Sequence, residues 1–340
     1  MLRAARDSPT PPPTRRIASH TKVAIVATTI FRGGWMRPRD LIGYGGRPPS
    51  VVWPNGARVA VSLVVNFEEG AELAIGDGDD SNERIGEVVS VVEPGLRDFG
   101  QEEMFAYGLR AGLWRFLDAF ARHNRKATFF MCGRAIERAR NLAAQIVSHG
   151  HEPACHGWLW RPHADFNSRA EERVSLIRCI DVALDAFGER PLGFFCRGSQ
   201  SAHTRGLLAE LGFIYDSNGF DDDLPYFSPA GDAQMLVLPY ALDCNDMKFF
   251  HPNGFVEPGQ FVRYVEAALS TLLDEAHRGR SSLLNIGFHL RICGRPARFT
   301  AVTEILALLD RLGDSVWIGR RIDLARHWLA SVTDSGRVQS

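Results

Sequence analysis

Apolar residues follow two alternating periods along this chain. Residues 58–67 (RVAVSLVVNF) are β-branched and apolar almost throughout, and Glu68-Glu69-Gly70 follows at once. Residues 104–123 instead set Phe105, Leu109, Leu113, Phe116, Leu117 and Phe120 at helical spacing. Further strands are predicted at 126–131, in a short run ending at Cys155-His156, and at 192–196, 213–215, 282–288 and 316–318. Helices are predicted at 135–149, 168–187, 204–211, 258–277, 300–312 and 322–329. Gly150 is a stop signal for the first of these, and Ser168 with Glu171 has capping-box spacing at the start of the second.

Six or seven strand–helix units predict a parallel sheet with helices outside it. Strands without polar alternation suit a sheet covered on both faces. An open nucleotide-binding sheet would carry a Gly-rich first turn, but neither GxGxxG nor a P-loop occurs. Two carboxylates stand where the phosphate would sit. The expected fold is therefore α/β, a distorted (β/α) barrel of about seven parallel strands. Residues 37–332 form its single catalytic domain, between a flexible tail at 1–36 and a short one at 333–340.

Composition removes several functions. The chain has 39 Lys+Arg against 40 Asp+Glu, a balance unsuited to a general nucleic-acid binder. The sequence contains no apolar run of about 18 residues, so no membrane-spanning helix is expected. The six cysteines show no CxxC spacing and are expected as buried free thiols of a cytoplasmic protein. The Pro cluster Pro9, Pro11, Pro12 and Pro13 belongs to the tail. The apolar run at 23–31 lacks a small-x-small cleavage site, and Met36 is an alternative start.

Polar residues collect where strands end. Glu68 and Glu69, His156, Arg197, Asp216 and His289 each follow an apolar run, and in a β/α barrel such positions share one rim. Adjacent Glu68 and Glu69 would point opposite ways on a regular strand, so either one faces the cavity. A carboxylate that is partly desolvated beside others has a raised pKa and suits a general base. His289 would protonate a leaving nitrogen, and Arg197 would hold or orient a carboxylate through a bidentate pair. No G-x-S-x-G elbow is present. The chemistry is water attack on a carbonyl, with Glu68, Glu69, His156, His289 and Arg197 as the catalytic set. Trp160, Asp216, His203 and Arg291 are the expected contacts to a small-molecule substrate. Residues 76–83 (GDGDDSNE) lack the Gly and Glu of a calcium loop and read as an exposed turn.

The motifs resemble those of the polysaccharide deacetylase family, the NodB-homology or carbohydrate esterase 4 fold. Asn66-Phe67-Glu68-Glu69-Gly70 stands where that family has Thr-Phe-Asp-Asp-Gly. His156-Gly157-Trp158-Leu159-Trp160 stands where it has His-x-x-x-His, and Arg197 and His289 resemble its third and last motifs. The resemblance implies a general base at the first acid and a divalent metal held by the second acid and two histidines. Here both acids are glutamates and the second histidine is Trp160. A catalytic zinc normally takes three protein ligands. The expectation is no cofactor, with zinc or another divalent cation on Glu69, His156 and His163 as the alternative.

Longer stretches are similar to the cofactor-independent allantoinase branch of bacterial purine catabolism. They include Arg39-Asp40-Leu41-Ile42-Gly43-Tyr44-Gly45-Gly46, Tyr107-Gly108-Leu109-Arg110-Ala111-Gly112, Asn245-Asp246-Met247 and Gly294-Arg295-Pro296-Ala297-Arg298. That likeness implies opening of a cyclic amide in a ureide ring by a homotetramer. The loop from Cys196 to Thr204 departs from the branch, so the expected substrate is allantoin or a related cyclic amide. The competing expectations are a metal-dependent deacetylase of an N-acetylated sugar polymer and a non-catalytic ureide or sugar binder.

Overall fold

The computed structural model describes residues 39–334, and those from Asp40 onward cluster as one compact unit. The tail at 1–36, the apolar run at 23–31, Met36 and residues 335–340 lie outside the described residues. Nine strands occur among them: β1 (Val59–Phe67), β2 (Thr128–Met131), β3 (Glu152–Cys155), β4 (Gly193–Phe194), β5 (Tyr215–Asp216), β6 (Tyr226–Ala230), β7 (Ala233–Val237), β8 (Ser282–His289) and β9 (Val316–Ile318).

All nine residues of β1 are buried, as an apolar strand covered on both faces must be. One edge of β1 pairs with β8 from Val59↔Ser282 to Asn66↔His289. Its other edge is shared, with β9 along Val59–Val61 and β2 along Val64–Phe67. The sheet order is β6-β7-β5-β4-β3-β2-β1-β8. The segment after β7 then turns toward β8, where Gly287 N–H donates to the Cys244 carbonyl. The result is a curled, mostly parallel sheet forming a half-barrel, the distorted (β/α) barrel expected. Eight of the nine strands pair in parallel, one more than the seven read from the sequence. The addition is β7, whose antiparallel partner β6 completes a hairpin.

The helices are α1 (Phe99–Tyr107), α2 (Leu113–Arg122), α3 (Gly133–Arg138), α4 (Arg140–Ser148), α5 (Arg169–Phe187), α6 (Thr204–Glu210), α7 (Pro258–His277), α8 (Pro296–Leu312) and α9 (Arg321–Asp334). Ser168 caps α5 by accepting from Glu171 N–H, and Gly188 ends it in the left-handed region. The helix expected at 104–123 is two, joined by a π-helical turn at Gly108–Gly112, and it starts earlier because Asp98 caps Gln101 N–H. Helix α9 runs past residue 332. No helix among the described residues is long and apolar enough to cross a membrane. All six cysteines are free and buried.

Polar side chains also converge within the curl of the sheet. Arg321 is fully buried and donates to Ser217 Oγ (2.9 Å), Ser62 Oγ (3.2 Å) and the carbonyls of Leu238 (2.5 Å) and Pro239 (2.9 Å). Beside it, Glu152 accepts from Thr128 Oγ1, Tyr215 Oη and Ile322 N–H. Five strands or their extensions are thereby tied to the start of α9.

Candidate active site

Residues two apart on a strand share a face, so Asn66 and Glu68 point the same way where β1 ends. Glu68 is 1% exposed. Its Oε1 lies 3.1 Å from His156 Nε2 and 3.3 Å from His289 Nε2, and its Oε2 accepts from Arg291 Nη1 at 2.5 Å. Burial alone would raise this carboxyl, but Arg291 and the two imidazoles outweigh it. Glu68 is held well below the usual carboxylate range. The raised pKa expected for the cavity-facing acid is therefore not found there, because three donors converge on it.

Glu69 turns the other way. Its Oε2 accepts from Glu68 N–H and its Oε1 from Arg291 N–H, both at 3.1 Å. Burial pushes its carboxyl up to about 7, against the pull of Arg291. It reaches neither His156 nor His289 and so fixes backbone between two chain segments. The π-helical turn packs directly on it: a methyl group on Gly108 would overlap Glu69 Oε1, and one on Gly112 would overlap the Leu290 carbonyl. We expect Gly108→Ala to displace Glu69 and the Arg291 backbone, lowering kcat by about 10²-fold through misplaced geometry. Initial rates alongside a melting curve check this, since a stability change alone would leave kcat of the folded fraction intact.

His289 is oriented from behind. Asp246 Oδ1 lies 2.6 Å from its Nδ1, and Asp246 Oδ2 accepts from the N–H of His289 and of Cys293. Burial would lower the imidazole's pKa, but Glu68 and Asp246 outweigh it and lift it to about 9. His156 donates Nδ1–H to the Phe195 carbonyl (2.6 Å) and stacks on the Phe195 ring, which lies parallel to Tyr240 at 4.4 Å. With Nδ1 so engaged, Nε2 is the nitrogen turned to Glu68.

Arg291 is also buried, its guanidinium carbon 4.3 Å from the Phe105 ring centre and 4.6 Å from that of Trp160. Trp160 stands 4% exposed over this pair. Arg197 makes the expected bidentate pair, but with Glu83 of the long loop after β1, and it stacks on Trp160 at 3.7 Å. It has no hydrogen bond or ion pair to Glu68, Glu69, His156 or His289 among the described residues, and it holds Trp160 and the loop. Residues 76–83 fold on their own backbone and on Arg134 and Arg138.

Three other expected residues stand at the start of α6 or beside it. Asp216 is fully buried and engaged by Arg205 Nε (2.8 Å) and Asn218 N–H (2.8 Å), so it is a structural anchor for α6. His203 precedes α6, where its N–H donates to Ser201 Oγ. His163 Nδ1 lies 2.9 Å from Glu172 Oε1, a carboxylate that also accepts from Ser201 and Thr204 hydroxyls. The metal set Glu69, His156 and His163 is thus not assembled. Glu69 accepts from backbone N–H groups, His163 lies beside the Glu172 carboxylate at the start of α6, and Trp160 stands where the family has its second histidine. Among the described residues no group of three His, Cys, Asp or Glu is placed to hold a metal ion.

Asp246, Asn66, Phe105 and Glu83 also border the site, beyond the residues that the sequence points to. Asp246 sits in a 3-10 turn (Asp246–Phe250), away from any strand end, and only its place in Asn245-Asp246-Met247 marked it. Asn66 Nδ2 donates to the Phe288 carbonyl and lies 3.1 Å from His289 Nε2. Its period-two relation to Glu68 was the available signal.

Comparison with known proteins gives concordant likenesses. The polysaccharide deacetylase family profile matches residues 104–215, a span that includes His156 but neither glutamate nor His289. A Schizosaccharomyces pombe protein whose name places it among polysaccharide deacetylases is 30% identical over 318 residues, covering 86% of this chain and 97% of that protein. A solved structure from Pseudomonas aeruginosa PAO1, named for the same family, is 39% identical with a TM-score of 0.81, covering 86% and 98% of the two chains. The structure of PuuE allantoinase is 38% identical with a TM-score of 0.82, covering 87% and 98%.

Proposed function

Because the chain belongs to the polysaccharide deacetylase family, we propose that it is a hydrolase opening the C–N bond of a cyclic amide in a small ureide of the allantoin class. One observation carries the reading: Glu68 is enclosed by His156, His289 and Arg291 beneath Trp160, each at most 4% exposed. An enclosed polar cluster of this kind suits a small ring better than a polymer chain, which needs an open groove. The likeness to PuuE allantoinase supports the same substrate class.

In this mechanism Glu68 takes a proton from water as the hydroxide oxygen bonds to the ring carbonyl carbon. His289, held as imidazolium by Asp246, protonates the ring nitrogen as the C–N bond breaks. The 3.3 Å contact between Glu68 Oε1 and His289 Nε2 returns the proton to the imidazole. The new carboxylic acid ionises to water. Arg291 and His156 face the negative charge throughout.

A substrate panel of allantoin, hydantoins, dihydropyrimidines and N-acetyl-chitooligosaccharides, each with and without chelator, tests the proposal. Ring-amide turnover unaffected by chelator is expected. Deacetylation alone, or activity lost with a metal, would overturn it.

The acid assignment has a pH consequence. His289 is charged below about 9 and loses its proton above, so kcat/KM should fall on an alkaline limb near pH 9. Asp246→Asn removes one of the two anions that lift this imidazole, so the limb should move to lower pH. An unmoved limb in the pH profile would assign the proton donor elsewhere. The His289 charge also contributes stability that is full below the ordinary imidazole range and lost as pH rises through about 9.

A further inference from the structure

A guanidinium has five N–H donors in one plane. On Arg291 the Nη1 donor is engaged by Glu68 Oε2. The rings of Phe105 and Trp160 lie against the guanidinium, so partners reach its donors along the plane. Nε and Nη2 are both buried, and neither has a hydrogen-bond partner among the described residues. Arg291 is the one described residue with two such atoms. These two nitrogens share an edge, and their N–H bonds run parallel, a fork that fits one carbonyl or carboxylate group. A buried cationic edge left unsatisfied is costly, and a ligand oxygen would relieve it.

We infer that the Nε–Nη2 edge of Arg291 holds the carbonyl oxygen of the scissile amide and the oxyanion formed from it. The inference rests on the ring-amide reading and adds the electrophilic group that reading lacks. Water attack places negative charge on the carbonyl oxygen, and a preorganised pair of donors in a water-poor site stabilises that charge more than it does the neutral carbonyl. Arg291 then serves two partners at once: Nη1 holds Glu68 ionised beside the attacking water, and the other edge receives the oxygen under attack. The spacing between base and electrophile is set by one rigid planar group.

The test compares wild type and Arg291→Lys on a hydantoin-type substrate and on its counterpart with sulfur at the attacked carbonyl. Lysine keeps a charge for Glu68 but has no planar fork, and sulfur accepts hydrogen bonds poorly. We expect kcat on the oxygen substrate to fall about 100-fold, the scale of losing an oxyanion donor, and the preference for oxygen over sulfur to shrink at least about tenfold. A variant that slows while keeping the full oxygen preference would overturn the inference, because Arg291 would then only position Glu68. Retention of wild-type kcat would overturn it as well. If Arg291→Lys does not fold, Arg291→Gln, which keeps an amide donor toward Glu68, is read by the same ratio. Wild-type protein inert on every ring amide would instead remove the functional reading, and this inference with it.

Discussion

Glu68→Gln should lower kcat by about 10²- to 10⁴-fold, the range for losing a positioned proton acceptor, while leaving KM within a few-fold. The amide matches the carboxylate in size but turns one acceptor into a donor, so it gives up the contact to Arg291 or to the histidines while the binding groups stay in the site. It cannot take a proton from water. The same change leaves the buried Arg291 facing a neutral group, which should cost about 3–5 kcal/mol of stability, the usual penalty for breaking a buried pair. Thermal and denaturant unfolding would show that loss separately from the kinetic one. A variant with kcat within tenfold of wild type would mean that another group accepts the proton. The acid side of the stability profile follows the sign of the Glu68 shift. Its contribution is present above the ordinary carboxylate range and is lost as pH falls through its depressed pKa.

Arg321→Ala is expected to cost about 3–5 kcal/mol of stability without touching the reacting groups. Burial pulls the pKa of this guanidinium down, and its donors satisfy two hydroxyls and two carbonyls inside the sheet. Alanine would strand all four acceptors and open a void among β1, the end of β5 and the turn after β7. Denaturant unfolding checks it, and a change under about 1 kcal/mol would show that water or a shifted side chain replaces the arginine. Activity of the remaining folded protein should stay close to wild type, in contrast with Glu68→Gln.

The central strands were legible because their burial is uniform: β1 and β8 read as apolar runs since no face of either meets water. The β6–β7 hairpin was not, because it carries Pro229, turns at Gly231-Asp232 and is largely half-exposed, which blurs any period. The rim residues were legible as a set by their position after strands. Position gives the end of a strand but not the direction of a side chain. Glu68 and His289 turn toward each other, whereas Arg197 and Asp216 turn to Glu83 and Arg205. Partners far away in the chain decide that direction. Glu83 lies on a long loop and Asp246 on a 3-10 turn, and neither has a periodic signature. The depressed pKa of Glu68 was hidden for the same reason. It depends on Arg291 and two histidines arriving from other strands, whereas the residues adjacent in sequence suggested only mutual repulsion between two acids.

The six buried cysteines make the fold its own stopwatch. Burial pushes the thiols of Cys132, Cys179, Cys196, Cys244 and Cys293 upward, so the reactive thiolate is scarce and a disulfide reagent must wait for the chain to open. The rate of thiol exchange then reports opening, and each position reports a different part. Cys179 times the release of α5 from the strands. Cys293, whose N–H is held by Asp246, times the loosening of the turn after β8 that carries Arg291. Reading these clocks with and without bound substrate would show whether the ligand tightens that loop alone or the whole barrel.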